Sequence, residues 1–87
     1  MQIEFSEIAA HELEWFERNK PKLAEKIVAL LNDIQKSPYK GLGKPEPLKY
    51  EFSGYWSRRI NSEHRLVYRI QNQTIIVVQC KYHYGTN

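Results

Sequence analysis

Glu46 stands between Pro45 and Pro47, and the two rings strip conformational freedom from the residue that bears the carboxylate. So stiff a mount suits a proton acceptor. The plainer reading is an exposed glutamate in a loop that needs its prolines, and the residues alone favour it. Three histidines accompany it. His11 falls among glutamates on a helical stretch and reads as a solvated surface residue. His64 precedes Arg65 at a strand entrance and reads as a residue that orients that turn. His83 lies in Lys81-Tyr82-His83-Tyr84, an exposed, basic and aromatic setting. No pair of His or Cys has metal-ligand spacing, which argues against a zinc or iron site. A nucleophile elbow and a phosphate-binding glycine motif are also missing. What remains is acid–base chemistry that needs no cofactor.

The elements that must position these groups follow from periodicity. Residues 2–5 alternate as a short half-buried strand. Ser6 can cap a helix, with Glu7 in the first turn where the helix dipole favours a carboxylate. Ala9, Leu13 and Phe16 give that helix one apolar face through about Arg18. Asn19-Lys20-Pro21 breaks and restarts the pattern, since proline is tolerated at a first helical position. Leu23, Ile27, Leu30, Leu31 and Ile34 form a second stripe that ends before Ser37-Pro38. Residues 38–47 hold three prolines and two glycines and read as a loop. Beyond it, Leu48–Phe52, Tyr55–Ile60, Arg65–Gln71 and Thr74–Tyr84 read as strands. Gly54 suits the first turn, and Gln71-Asn72-Gln73 suits a hairpin. The fold class is α+β: a helical hairpin packed on one face of a mostly antiparallel sheet.

Alternation assigns the sheet's two faces. In Arg65–Ile70, Leu66, Tyr68 and Ile70 turn to the helices, while Arg65, Val67 and Arg69 turn outward. In the last strand Ile76, Val78, Cys80 and Tyr82 are expected inside, with Val77, Gln79, Lys81 and His83 outside. Antiparallel pairing would then bring Arg65, at the start of one strand, near His83 at the end of the next.

With 87 residues, the chain is expected to form a single domain over 1–87, of modest stability and helped by a partner. The one cysteine, Cys80, excludes an internal disulfide. No apolar run reaches membrane-spanning length, and the first residues lack the pattern of a signal peptide, so a soluble, cytoplasmic protein is expected. The net charge of +3 is unevenly spread. Residues 1–37 carry five Lys/Arg against seven Asp/Glu, a net of −2, and residues 38–87 carry eight against three, a net of +5. A basic half rich in Tyr and Trp suits a nucleic-acid surface, although a merely solvated basic face fits the charge equally well.

Four stretches carry a family resemblance: Gly41-Leu42-Gly43-Lys44-Pro45-Glu46-Pro47-Leu48, Gly54-Tyr55-Trp56-Ser57-Arg58-Arg59-Ile60, Glu63-His64-Arg65-Leu66-Val67-Tyr68 and Tyr82-His83-Tyr84. Collinear and in combination, they closely resemble the YoeB (Txe) toxin family. That family lies within the wider RelE/ParE fold, a microbial-ribonuclease-like sheet flanked by helices. The resemblance implies the toxin of a type II toxin–antitoxin system that cuts mRNA in the ribosomal A site. It also implies restraint by a YefM-type antitoxin, a tendency to dimerise, and contact with DNA only through the antitoxin complex. By the same resemblance Glu46 is the general base, Arg65 the phosphate stabiliser and His83 the general acid. Tyr84 lies beside the scissile phosphate or stacks on a base, and Lys49 and Arg59 contact RNA. One departure is visible: the family commonly stops at or just after the His-Tyr pair, whereas Gly85-Thr86-Asn87 follow here.

Two other functions share these features. ParE-like relatives have the same hairpin and sheet yet poison gyrase without cutting RNA. An RNA-binding module would use basic and aromatic residues without catalysis. The bland structural reading of Arg65 is a sheet-surface ion pair with Glu63 or Glu46, and that of His83 a solvated strand end.

Overall fold

Ser6 closes the first strand and opens the first helix. Its hydroxyl accepts from the Ala9 N–H at 3.1 Å, a helix cap, and donates to the Val78 carbonyl at 3.2 Å. One side chain thus fixes both the start of the helix and its height above the sheet. The computed structural model describes residues 1–82. They form β1 (Gln2–Phe5), α1 (Glu7–Asn19), α2 (Pro21–Lys36), β2 (Glu46–Pro47), β3 (Trp56–Arg59), β4 (Arg65–Gln71) and β5 (Thr74–Gln79). The strands are ordered β1-β5-β4-β3-β2, with β1 parallel to β5 and the other pairs antiparallel.

Lys20 alone separates the helices. Its N–H closes α1 on the Phe16 carbonyl at 2.7 Å, while Pro21, with no N–H to lose, begins α2. So short a link folds the helices back on one another. Phe16, Ile27, Leu30 and Ile34 then meet Leu66, Tyr68, Ile75 and Val77 in one core cluster. Each large apolar side chain buried this way contributes roughly 1.5–3 kcal/mol. None of the helices among the described residues is long and apolar enough to cross a membrane.

The β4–β5 hairpin turns at Asn72 and Gln73, both at positive φ (51° and 58°), between the paired Gln71 and Thr74. Two successive positive φ values give the turn twist that matches the strands, and Asn tolerates that region well.

Two sequence expectations are corrected. Leu48–Phe52 is not a strand: Tyr50 lies at φ 58° and Tyr50–Phe52 forms a 3₁₀ turn, closed by the Phe52 N–H on the Lys49 carbonyl at 3.1 Å. The strand contact comes earlier, where Glu46–Pro47 pairs with Trp56 and Ser57 at the sheet edge. Proline is acceptable there because one side of an edge strand needs no ladder donor.

The second correction concerns β5, which ends at Gln79 and turns Ile75, Val77 and Cys80 inward. Ile76 and Val78 are only half-buried. Val67 pairs with Gln79 and Tyr68 with Val77, so Val78 is an extra residue. Such a β-bulge shifts the alternation by one. It explains how Cys80, three residues after Val77, still faces the core. Tyr82, expected inside, is about half exposed at φ 64°. Lys81, expected on the outer face, instead lies 3.8 Å from the Trp15 ring of α1 as a cation–π contact.

Candidate active site

The register of β2, β3 and β4 assembles the site on the face away from the helices. Glu46 pairs with Ser57, which pairs with Val67, forming one row across the sheet. Arg59 pairs with Arg65 two residues further along, and side chains two apart share a face. Lys44, Glu46, Arg59 and Arg65 line an open cleft of about 250 Å³. Three cations and one carboxylate give it a positive balance suited to an anion with a proton to lose.

Arg65 is half-buried and tied down by its own turn. Its Nη1 donates to the carbonyls of Asn61 at 2.8 Å, His64 at 3.1 Å and Ser62 at 3.5 Å. The turn itself is set by Asn61, whose Oδ1 accepts from the Glu63 and His64 N–H groups at 2.9 and 2.8 Å. Among the described residues Arg65 forms no ion pair with Glu46 or Glu63. The ion pair found there is Arg58–Asp33, while Glu63 lies 3.5 Å from His64 Nε2. The bland reading of Arg65 as half of a surface salt bridge therefore fails.

Glu46 owes its position to a loop held from beneath. Arg58 follows Ser57 on β3, so its side chain turns to the helix side, where it is fully buried. It donates to Asp33 of α2 at 2.6 Å and to the carbonyls of Ser37, Lys40 and Leu42 at 2.6, 2.8 and 3.1 Å. Its Nε also meets the Tyr68 hydroxyl at 3.2 Å, and that hydroxyl donates to the Pro38 carbonyl at 2.6 Å. One guanidinium thereby gathers the carbonyls of a loop that has few ladder partners of its own. The Leu42 N–H and the Arg58 guanidinium hold the Asp33 carboxyl below its ordinary value, while burial pushes the Tyr68 phenol up.

Two glycines let the loop lie this close. A Cβ on Gly41, at φ 114°, would meet the Asp33 carboxylate at 2.1 Å. One on Gly43, at φ 80°, would stand 3.0 Å from the Arg59 carbonyl. The Gly43 carbonyl accepts from the Arg59 N–H at 2.7 Å, which locks the loop to β3 three residues before Glu46. Arg58 lies within a motif singled out in the sequence, but nothing there distinguished it from Arg59.

The structure therefore brings together Glu46, Arg59 and Arg65, and adds Lys44, which sequence reasoning did not single out. Lys49 is exposed at the entrance to the 3₁₀ turn and does not line the cleft. His83 and Tyr84 lie outside the described residues. Just before them, the Tyr82 carbonyl accepts from the Arg65 N–H at 3.1 Å. The expected approach of His83 itself to Arg65 falls outside the described residues. Cys80 takes no part: burial and the nearby Glu12 charge push its thiol up to about 12, so it stays protonated at neutral pH. Among the described residues, no three His, Cys, Asp or Glu side chains converge as metal ligands would.

Solved structures share this fold. The YoeB/ParE toxin from Agrobacterium tumefaciens matches with a TM-score of 0.95 at 42% identity, covering 97% of this chain and 100% of that one. A heterotetrameric YoeB–YefM toxin–antitoxin complex from Staphylococcus aureus contains a chain matching at 0.90 and 45%, covering 97% and 98%. A YoeB dimer from the same species matches at 0.91 with the same identity and coverage. Two helices packed on one face of a five-stranded, mostly antiparallel sheet are thus the fold of small toxins of the YoeB/ParE kind. The family description "YoeB-like toxin of bacterial type II toxin-antitoxin system" fits residues 5–84, and a YoeB toxin from Synechocystis is 50% identical over 84 residues, 97% of this chain and 98% of that protein. The chain belongs to the YoeB-like toxin family.

Proposed function

We propose that this toxin is a ribosome-dependent endoribonuclease that cuts mRNA in the A site by acid–base chemistry, acting as one domain in the cytoplasm. The observation that carries the reading is the cleft itself, where a carboxylate on a proline-stiffened edge strand shares a small space with Lys44, Arg59 and Arg65. RNA brings its own nucleophile, the 2′-hydroxyl, beside the phosphate. Glu46 takes the 2′-hydroxyl proton as that oxygen bonds to phosphorus. Arg65 pairs with the phosphoryl oxygens as charge develops on them. The bond from phosphorus to the 5′-oxygen breaks, and His83 returns a proton to the leaving oxygen. Tyr84 packs beside the phosphate or on a base, while Arg59 and Lys49 hold the RNA backbone. The products are a 2′,3′-cyclic phosphate and a 5′-hydroxyl.

An ordinary glutamate is a weak base at neutral pH, and an ordinary histidine is only partly protonated there. The ribosome completes such a site by fixing the RNA in line, so the isolated toxin cuts slowly. The cationic cleft also suits an acidic, partly apolar segment of a YefM-type antitoxin, which would cover the same surface. Dimerisation and DNA contact through the antitoxin complex belong to this same reading.

Product chemistry tests it. Cleavage on programmed ribosomes is expected to persist in excess chelator, provided the ribosomes keep their magnesium, and to leave cyclic or 3′-phosphate ends. Products with 3′-hydroxyl and 5′-phosphate ends would overturn the internal-nucleophile mechanism.

A further inference from the structure

His64 is almost completely buried, 4% exposed, yet it reaches the site from both of its ends. Its carbonyl accepts from the Arg65 guanidinium at 3.1 Å and from the Ile60 N–H at 3.0 Å. Its Nδ1 accepts from the backbone N–H of Tyr82 at 2.8 Å. An amide N–H can only donate, so Nδ1 carries no proton and the neutral ring bears its hydrogen on Nε2. That nitrogen stands 3.5 Å from the Glu63 carboxylate. Edge-on packing against Phe16, with ring centres 5.0 Å apart, fixes the plane of the imidazole, and the Tyr82 ring lies 5.4 Å away.

Tyr82 is therefore gripped on two sides, by the His64 ring at its N–H and by the Arg65 N–H at its carbonyl. The grip falls where β5 has already ended and the chain has passed a bulge, so no regular ladder holds it there. Tyr82 is also the residue immediately before His83.

We infer that His64 is a positioning residue, whose neutral imidazole holds the Tyr82 main chain and so sets where His83 and Tyr84 stand relative to Arg65. The inference rests on the nuclease reading above and adds to it a residue that touches neither RNA nor the reacting atoms. A misplacement of about 1 Å at a reacting group costs on the order of 10²-fold in rate, so a backbone tether one residue away has leverage on turnover.

The test uses the full chain with His64→Gln and His64→Asn. An asparagine Oδ1 falls near the place of Nδ1 and can accept from Tyr82, whereas a glutamine oxygen falls near Nε2 and cannot. His64→Gln is expected to lower kcat on programmed ribosomes by roughly 10–100-fold with KM nearly unchanged, and His64→Asn to recover most of it. Amide exchange at Tyr82 should accelerate in His64→Gln and stay slow in His64→Asn. In the wild type, imidazole nitrogen shifts should report an unprotonated Nδ1 at neutral pH, a readout that does not depend on any variant folding. The opposite tautomer would overturn the proposal. So would full activity in His64→Gln despite faster Tyr82 exchange, or equal losses in both variants. A wild type that leaves ribosome-bound mRNA intact would instead overturn the nuclease reading and this inference with it.

Discussion

Arg65→Ala is expected to lower turnover of ribosome-bound mRNA by about 10²–10³-fold, the loss typical when one preorganised charge stabiliser is removed. Binding to the ribosome should change far less, because Lys44 and Arg59 remain in the cleft to attract the RNA backbone. The asymmetry follows from how Arg65 is held. Three carbonyls of its own turn fix Nη1, so the guanidinium is rigid before substrate arrives. Rigid charge matters most when new charge forms on the phosphorane, since nothing must reorganise at that moment. A flexible surface arginine would contribute about equally before and during the reaction. Ribosome pelleting with matched single-turnover assays separates the two. Equal losses in binding and in turnover of the bound toxin would make Arg65 a positioning contact only.

The elements around this site differ in how well the sequence announces them. Where apolar and polar residues alternate cleanly, as in Arg65–Gln71, both the strand and its faces can be read directly. In β5 the run Ile75-Ile76-Val77-Val78 has no polar residue to mark a face, so alternation contains no phase, and a single bulged residue reverses the assignment. Lys81 departs from expectation for a different reason: the strand ends at Gln79, so alternation no longer governs it and the side chain rests on Trp15. The prolines drew notice to Glu46 without deciding between a base and a plain loop glutamate, and its strand was hidden because a two-residue edge strand has too little pattern to see. Arg58 and His64 were illegible for another reason: their partners lie far off in sequence, Asp33 on α2 and Tyr82 beyond β5. Local pattern records what a residue is, while these two matter for what the fold brings to them.

Arg58→Met is expected to lower the melting temperature by roughly 10–20 °C, a large fraction of the stability of so small a domain. Methionine replaces the aliphatic stem but supplies no donors. The carbonyls of Ser37, Lys40 and Leu42 then lose a charged partner in a part-buried setting, and Asp33 loses its counter-ion. Arg58→Lys should recover only part of the loss, since one ammonium cannot reproduce a fork that reaches a carboxylate, three carbonyls and a phenol. Acid distinguishes the ion pair from the carbonyl contacts. The Asp33 carboxyl is held below its ordinary value of 3.8, first by the Leu42 N–H and then by Arg58. A lowered carboxylate contributes its stability fully above that ordinary value and loses it as pH falls through the folded-state value. The gap between wild type and Arg58→Met should thus hold steady from neutrality to about pH 5 and narrow below about pH 4, leaving the part that belongs to the carbonyls. Thermal unfolding followed by far-ultraviolet circular dichroism across that range measures both quantities. A loss of only a few degrees would mean that the 37–43 loop holds itself, and that Glu46 depends on its prolines and on the Gly43–Arg59 contact instead.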